Sequence, residues 1–179
     1  MKKIMLGAIL ALAATHGYGQ LYMTRTGFIG FYSKTSAEDI KAENHQAYAV
    51  IDDAKKNLAF AVLLKGFTFP KELMQEHFNE NYVESDKYPK ATFSGSFTGD
   101  VPDKDGVYQV TVKGNLTLHG VTKVLEMPAT IERKGNTLIG HASFHISPED
   151  FNISIPSLVR EKIEKSLKVD VQVECDKNK

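Results

Sequence analysis

Gln109-Val110-Thr111-Val112-Lys113-Gly114-Asn115-Leu116-Thr117-Leu118-His119 alternates with period two. Val110, Val112, Leu116 and Leu118 fall on one side, and Gln109, Thr111, Lys113, Asn115, Thr117 and His119 on the other. Successive side chains of a strand point to opposite faces, so this stretch reads as a strand with one face to bury. The same period returns along the chain. Leu167, Val169, Val171 and Val173 oppose Lys168, Asp170, Gln172 and Glu174; Phe93 and Phe97 alternate with Thr92, Ser94, Ser96 and Thr98. Leu138, Ala142, Phe144 and Ile146 alternate with Ile139, His141, Ser143 and His145. Leu58, Phe60, Val62 and Leu64 make a further face, with alanines at 59 and 61 opposite.

Turn signals separate these runs. Residues 52–57 read as a hairpin loop, as do Asp103-Lys104-Asp105-Gly106 and Lys134-Gly135-Asn136, where glycine or asparagine suits a positive φ. The pattern yields about eight strands, near residues 21–33, 45–52, 57–67, 91–98, 107–119, 121–133, 137–147 and 166–175. Residues 70–81 break it: Leu73, Met74, His77 and Phe78 have helical spacing, and Pro70 suits a first helical turn. A second short helical piece is expected at 156–165, while 36–44 is polar and without a clear period. Antiparallel strands with one apolar face each must bury those faces together, in a sandwich or a closed barrel. An eight-stranded barrel has an interior that side chains fill or that holds one small ligand. Alternation alone leaves these choices open.

Composition narrows the function classes. The chain has 179 residues, 42% hydrophobic, with 22 basic and 22 acidic residues. One domain with a sizeable core fits that length, and a nucleic-acid binder, which needs a clustered basic excess, is not indicated. Met1-Lys2-Lys3, the uncharged apolar run Ile4 to Ala14 and the exit Thr15-His16-Gly17-Tyr18-Gly19-Gln20 follow the three-part pattern of a secretory signal peptide. The run is too short to span a bilayer as a helix, and no stable membrane insertion of the mature chain is expected. Residues 1–19 are thus read as signal peptide and 20–179 as one exported domain. Loss of Lys2 and Lys3 leaves 20 basic against 22 acidic residues, a formal charge of −2. Cys175 stands alone and forms no intramolecular disulfide, so the fold rests on its core and its strand ladders.

Three segments carry a resemblance. Asn81-Tyr82-Val83-Glu84-Ser85-Asp86-Lys87-Tyr88-Pro89-Lys90-Ala91-Thr92-Phe93 resembles the helix, Tyr-Pro and strand of the YceI-like family. Gly114-Asn115-Leu116-Thr117-Leu118-His119-Gly120-Val121-Thr122-Lys123 resembles its most specific hairpin, and His145-Ile146-Ser147-Pro148-Glu149-Asp150-Phe151-Asn152-Ile153 is similar to its Arg-Asp-Phe-Gly stretch. Order and spacing agree from about Leu58 to Cys175. Two departures stand out: Thr26-Gly27-Phe28-Ile29-Gly30-Phe31 replaces a strand with a His-Ser pair, and Glu149-Asp150-Phe151-Asn152 lacks the family's arginine and glycine. The resemblance implies an all-β, lipocalin-like antiparallel barrel with one or two short helices. It also implies a periplasmic location, a long-chain isoprenoid or related amphiphile as ligand, and, as in some relatives, a homodimer.

Holding such a chain needs apolar area rather than catalytic groups. Phe60, Val62, Phe78, Phe93, Phe97, Leu116, Leu118 and Phe144 are the candidate lining residues, and the same side chains could instead fill a packed core. His141 and His145 are roughly 13 Å apart along a strand, so one metal ion does not reach both, and no metal or other cofactor is expected. His119 is expected to hydrogen-bond locally near the turn at Gly120. Ser94 and Ser143 lack a nucleophile-elbow context, and Glu72, Glu76 and Glu80 share one solvated helix face. The expectation is a non-enzymatic lipid-binding barrel. The rivals are a packed barrel that contacts an envelope partner, and an enzyme with titratable groups converging in the interior.

Overall fold

The computed structural model describes residues 21–178; the segment read as a signal peptide lies outside the described residues. Eight antiparallel strands close into a barrel in sequence order: β1 (Leu21–Lys34), β2 (Asp39–Asp52), β3 (Asn57–Leu63), β4 (Lys90–Thr98), β5 (Gly106–Leu118), β6 (Val121–Lys134), β7 (Thr137–Ile146) and β8 (Leu167–Lys177). Pairing of β1 with β8 closes the wall. Helix α1 (Glu72–His77) lies between β3 and β4 and runs into a π turn, Phe78–Tyr82.

The two ends of the barrel are built differently. At the base, the connections are residues 53–56, 99–105 and 135–136, and both ends of the described chain lie here, with Asn178 N–H donating to the Leu21 carbonyl at 2.7 Å. At the mouth, β5 turns into β6 through His119 and Gly120 alone, while residues 64–89 and 147–166 form long excursions.

Two ladders stop short of the mouth. Strand β2 pairs with β3 only over Tyr48–Asp52, and β6 pairs with β7 only over Ala129–Lys134, where Pro128 has no N–H to extend the ladder. Non-strand segments complete the wall. Glu43 and Thr68 exchange backbone hydrogen bonds (3.1 and 2.8 Å), and Asn44 Nδ2 donates to the Leu63 carbonyl (3.1 Å). On the other seam the 3-10 turn Pro148–Phe151 packs against β6, with Phe151 buried.

Several sequence expectations need correction. Residues 39–44 belong to β2, with Ala42 and Asn44 buried and Lys41 paired to Glu43 outside. Register shifts between Thr24 and Ile29 set Gly27 opposite Ala47 and Ile29 opposite Asn44. His45 and Gln46 therefore sit in a bulge that flips the inward phase, which hides the strand from a period-two reading. Strand β3 ends at Leu63, not residue 67, because Leu64–Gly66 form a 3-10 turn. The helix starts at Glu72 and ends at His77, inside the expected 70–81. The second expected helical piece is the 3-10 turn Ser157–Lys162.

Candidate ligand cavity and its mouth

The inward side chains leave a cavity of about 500 Å³, open at the mouth and lined chiefly by apolar side chains. That volume lies in the range of small-molecule sites. Phe60, Val62, Phe78, Phe93, Leu116, Leu118 and Phe144 all line it. Phe97 does not: it points inward, but two inward positions deeper than Phe93, with Gly95 between, and packs at 2% exposure among Tyr22, Leu58 and Val112. Periodicity assigns a face of a strand, not a depth in the barrel. Phe93 itself lies over Gly114, where an added Cβ would come 2.6 Å from its ring, so the glycine of the hairpin motif makes room for a lining ring.

Ile51, Leu58, Val112, Met127, Ile131 and Val173 form the floor. Beneath it Arg133, 2% exposed, seals the base. Its Nε donates to the Pro102 carbonyl (2.9 Å), Nη1 to the Tyr22 hydroxyl (3.0 Å) and Nη2 to Asp53 Oδ2 (2.5 Å). Burial opposes the guanidinium charge, but the hydrogen bonds to Asp53 and Tyr22 outweigh it and raise the pKa. Cys175 is buried in the same region; burial, with Asp176 adding to it, pushes its thiol up to about 12.

The upper wall was only partly legible in the sequence. Phe31, Phe67, Phe69 and Phe78 form one aromatic group, with ring centroids 5.1–5.8 Å apart, in the tilted and edge-on arrangements such rings favour. Phe67-Thr68-Phe69 does alternate, but its inward placement depends on the turn at Leu64–Gly66. The charged lining residues are Glu38, Lys71 and Lys162. Lys71 Nζ donates to Glu38 Oε1 at 2.5 Å, and this hydrogen bond holds the Glu38 carboxyl below its usual value. Tyr82 also lines the cavity, and burial raises its pKa, keeping the phenol neutral.

His119 does not bond locally. Its Nδ1 donates to the Phe151 carbonyl (3.0 Å), since a carbonyl only accepts, and Nε2 lies within hydrogen-bonding distance of Glu84 Oε2 (2.8 Å). Tyr88 packs edge-on against the imidazole at 4.5 Å, and an added Cβ on Gly120 would strike the Tyr88 ring at 2.7 Å. Glu84, His119 and Asn152 all take left-handed backbone (φ 47°, 51° and 56°) around this point. Asn152 tolerates that conformation better than most residues, which accounts for its standing in place of the motif's glycine. The three sequence motifs thus meet in one structural knot that ties the β5–β6 hairpin to both mouth excursions. Among the described residues no three His, Cys, Asp or Glu side chains gather as a metal site, and no helix is long and apolar enough to cross a membrane.

The YceI-like domain family matches residues 21–175. The chain belongs to the YceI-like family. Among solved structures, a polyisoprenoid-binding domain from Saccharophagus degradans, described as implicated in plant cell wall breakdown, superposes with a TM-score of 0.76 at 15% identity, covering 89% of this chain and 99% of that one. BcnA from Burkholderia cenocepacia gives 0.70 at 16% identity, covering 83% and 95%. The Campylobacter jejuni YceI protein gives 0.62 at 18%, covering 77% and 85%. At these identities the likeness establishes a shared fold. A search of curated proteins found no match.

Proposed function

We propose that this YceI-like protein is exported and acts without catalysis, sequestering or carrying an isoprenoid or similar long-chain amphiphile. The observation that carries this reading is the apolar cavity of about 500 Å³, floored by packed side chains and open at one end. A fully packed interaction barrel would have side chains in that space. The charged lining groups Glu38, Lys71 and Lys162 are tied to one another by ion pairs. The similar Saccharophagus domain is described as polyisoprenoid-binding.

Energetics favour a long chain. Burial of about fifteen methylenes gains roughly 12 kcal/mol, against an association cost on the order of 4–15 kcal/mol. A short chain would not repay that cost. Export is supported by the charged start and apolar run of residues 1–19.

Native mass spectrometry of protein purified from its producing cell, followed by organic extraction, tests the reading. The expected result is a bound lipid-range mass on a chain beginning near Gln20. A bare protein that takes up no long-chain lipid after delipidation would overturn it in favour of an interaction protein.

A further inference from the structure

The charges on the cavity wall are neither scattered nor balanced. Glu38 ends the turn between β1 and β2, Lys71 precedes α1, and Lys162 closes the 3-10 turn before β8. Three separate mouth segments therefore deliver them to one place. Lys71 Nζ lies 2.5 Å from Glu38 Oε1 and Lys162 Nζ 4.0 Å from Oε2, so two ammonium groups flank one carboxylate. Among the described residues Lys162 has no other ion-pair partner, and nearby Arg160 is paired with Glu149 outside the cavity. The cluster has one positive charge more than it neutralises.

Its burial is graded. Both lysine side chains are more than half exposed (65% and 52%), whereas Glu38 is only 20% exposed. The Glu38 backbone is fixed by the Thr35 turn, with Thr35 Oγ1 accepting from Glu38 N–H at 3.0 Å and Thr35 N–H donating to the Glu38 carbonyl at 3.1 Å. The carboxylate can swing while its anchor stays in place, and flexible lysines can follow a replacement anion. Directly below lies the aromatic group of Phe31, Phe67, Phe69 and Phe78.

We propose that Lys71 and Lys162 receive the anionic head, a phosphate or carboxylate, of an amphiphile whose chain fills the cavity, with Glu38 as the internal anion that the head displaces. This rests on the carrier reading above. It excludes cationic heads and ranks neutral ones lower, because a neutral head leaves the excess positive charge unmatched.

The test uses delipidated full-length mature protein and probes of one chain length: tetradecyl phosphate, tetradecanoate and tetradecanol, with inorganic phosphate as competitor. Calorimetry on the wild type is expected to show the two anionic probes binding about fivefold more tightly than the alcohol, the scale of one partly exposed ion pair. In Lys71→Gln/Lys162→Gln the preference falls to near unity while tetradecanol affinity holds. Glu38→Gln, which removes the competing anion, widens the preference. Equal affinities in the wild type, or a preference that survives in the double variant, would overturn the head-group assignment alone. Displacement of tetradecyl phosphate by equimolar inorganic phosphate would overturn it too, assigning the lysines to free anions. Failure of all three long-chain probes to bind would instead sink the carrier reading.

Discussion

Arg133 and Lys71 each hold a carboxylate at one end of the same barrel, under opposite conditions. The Arg133–Asp53 pair is 2% and 17% exposed, and a planar guanidinium ties it to two further oxygens, from Tyr22 and Pro102. The Lys71–Glu38 pair is 65% and 20% exposed, held by a flexible ammonium. Dry, multiply bonded charges are costly to separate, while wet single pairs are cheap to rearrange. The base therefore behaves as a fixed plug, and the mouth as a surface that can exchange partners.

The largest effect is expected at the base. Arg133→Met strands Asp53 and empties the plug, and should cost about 3–5 kcal/mol of stability in chemical denaturation. A loss no greater than that of a surface substitution would mean that the base is not a plug. Between the two ends, Phe93→Asp puts a charge into the cavity wall and should weaken binding of tetradecanol by about a hundredfold. Unchanged affinity in the folded variant would remove Phe93 from the ligand's path. At the mouth, His119→Ala should cost about 1–2 kcal/mol through two lost hydrogen bonds. Faster hydrogen exchange should appear in residues 147–155 and leave the base unchanged; uniform acceleration would contradict two independently built ends.

Two smaller effects concern titration. Cys175, with its thiol near 12, should resist iodoacetamide at pH 8 until the protein unfolds, and labelling of the native state would show that the base opens. Glu38 has a folded-state pKa below the ordinary value, so its stabilising pair is present above the unfolded carboxylate pKa and is lost as pH falls through the folded one. In Lys71→Ala the Glu38 carboxyl should titrate at higher pH by NMR, and an unmoved titration would remove Lys71 as the cause.

The strands were legible in the sequence where they carry their own period, and Val110 to Leu118 shows it without help from neighbours, while the choice of a barrel over a sandwich came from the family resemblance. What was hidden depends on tertiary placement. The bulge at His45 and Gln46 reverses the inward phase of β2, so Ile40, Ala42 and Asn44 read as polar loop. Phe93 and Phe97 share a face, yet only Phe93 reaches the cavity. Phe31, Phe67 and Phe69, like Lys71 and Lys162, become neighbours only when the mouth excursions fold over the barrel. The motifs that pointed to the family proved to mark the His119 knot, which explains why matching them identifies the fold more directly than the ligand.

Seven of the eight strand pairings join sequence neighbours, and the eighth joins β1 to β8, bringing Tyr22 beside Lys177. The entropy of closing a loop rises with its length, and pairings distant in sequence form slowly. Closure of the wall is then the step expected last in folding. Until β1 and β8 pair, the first and last strands have unpaired edges and the wall that encloses the lining is incomplete. Such edges recruit other chains, so the zipping of β1 onto β8 ends the protein's main exposure to aggregation.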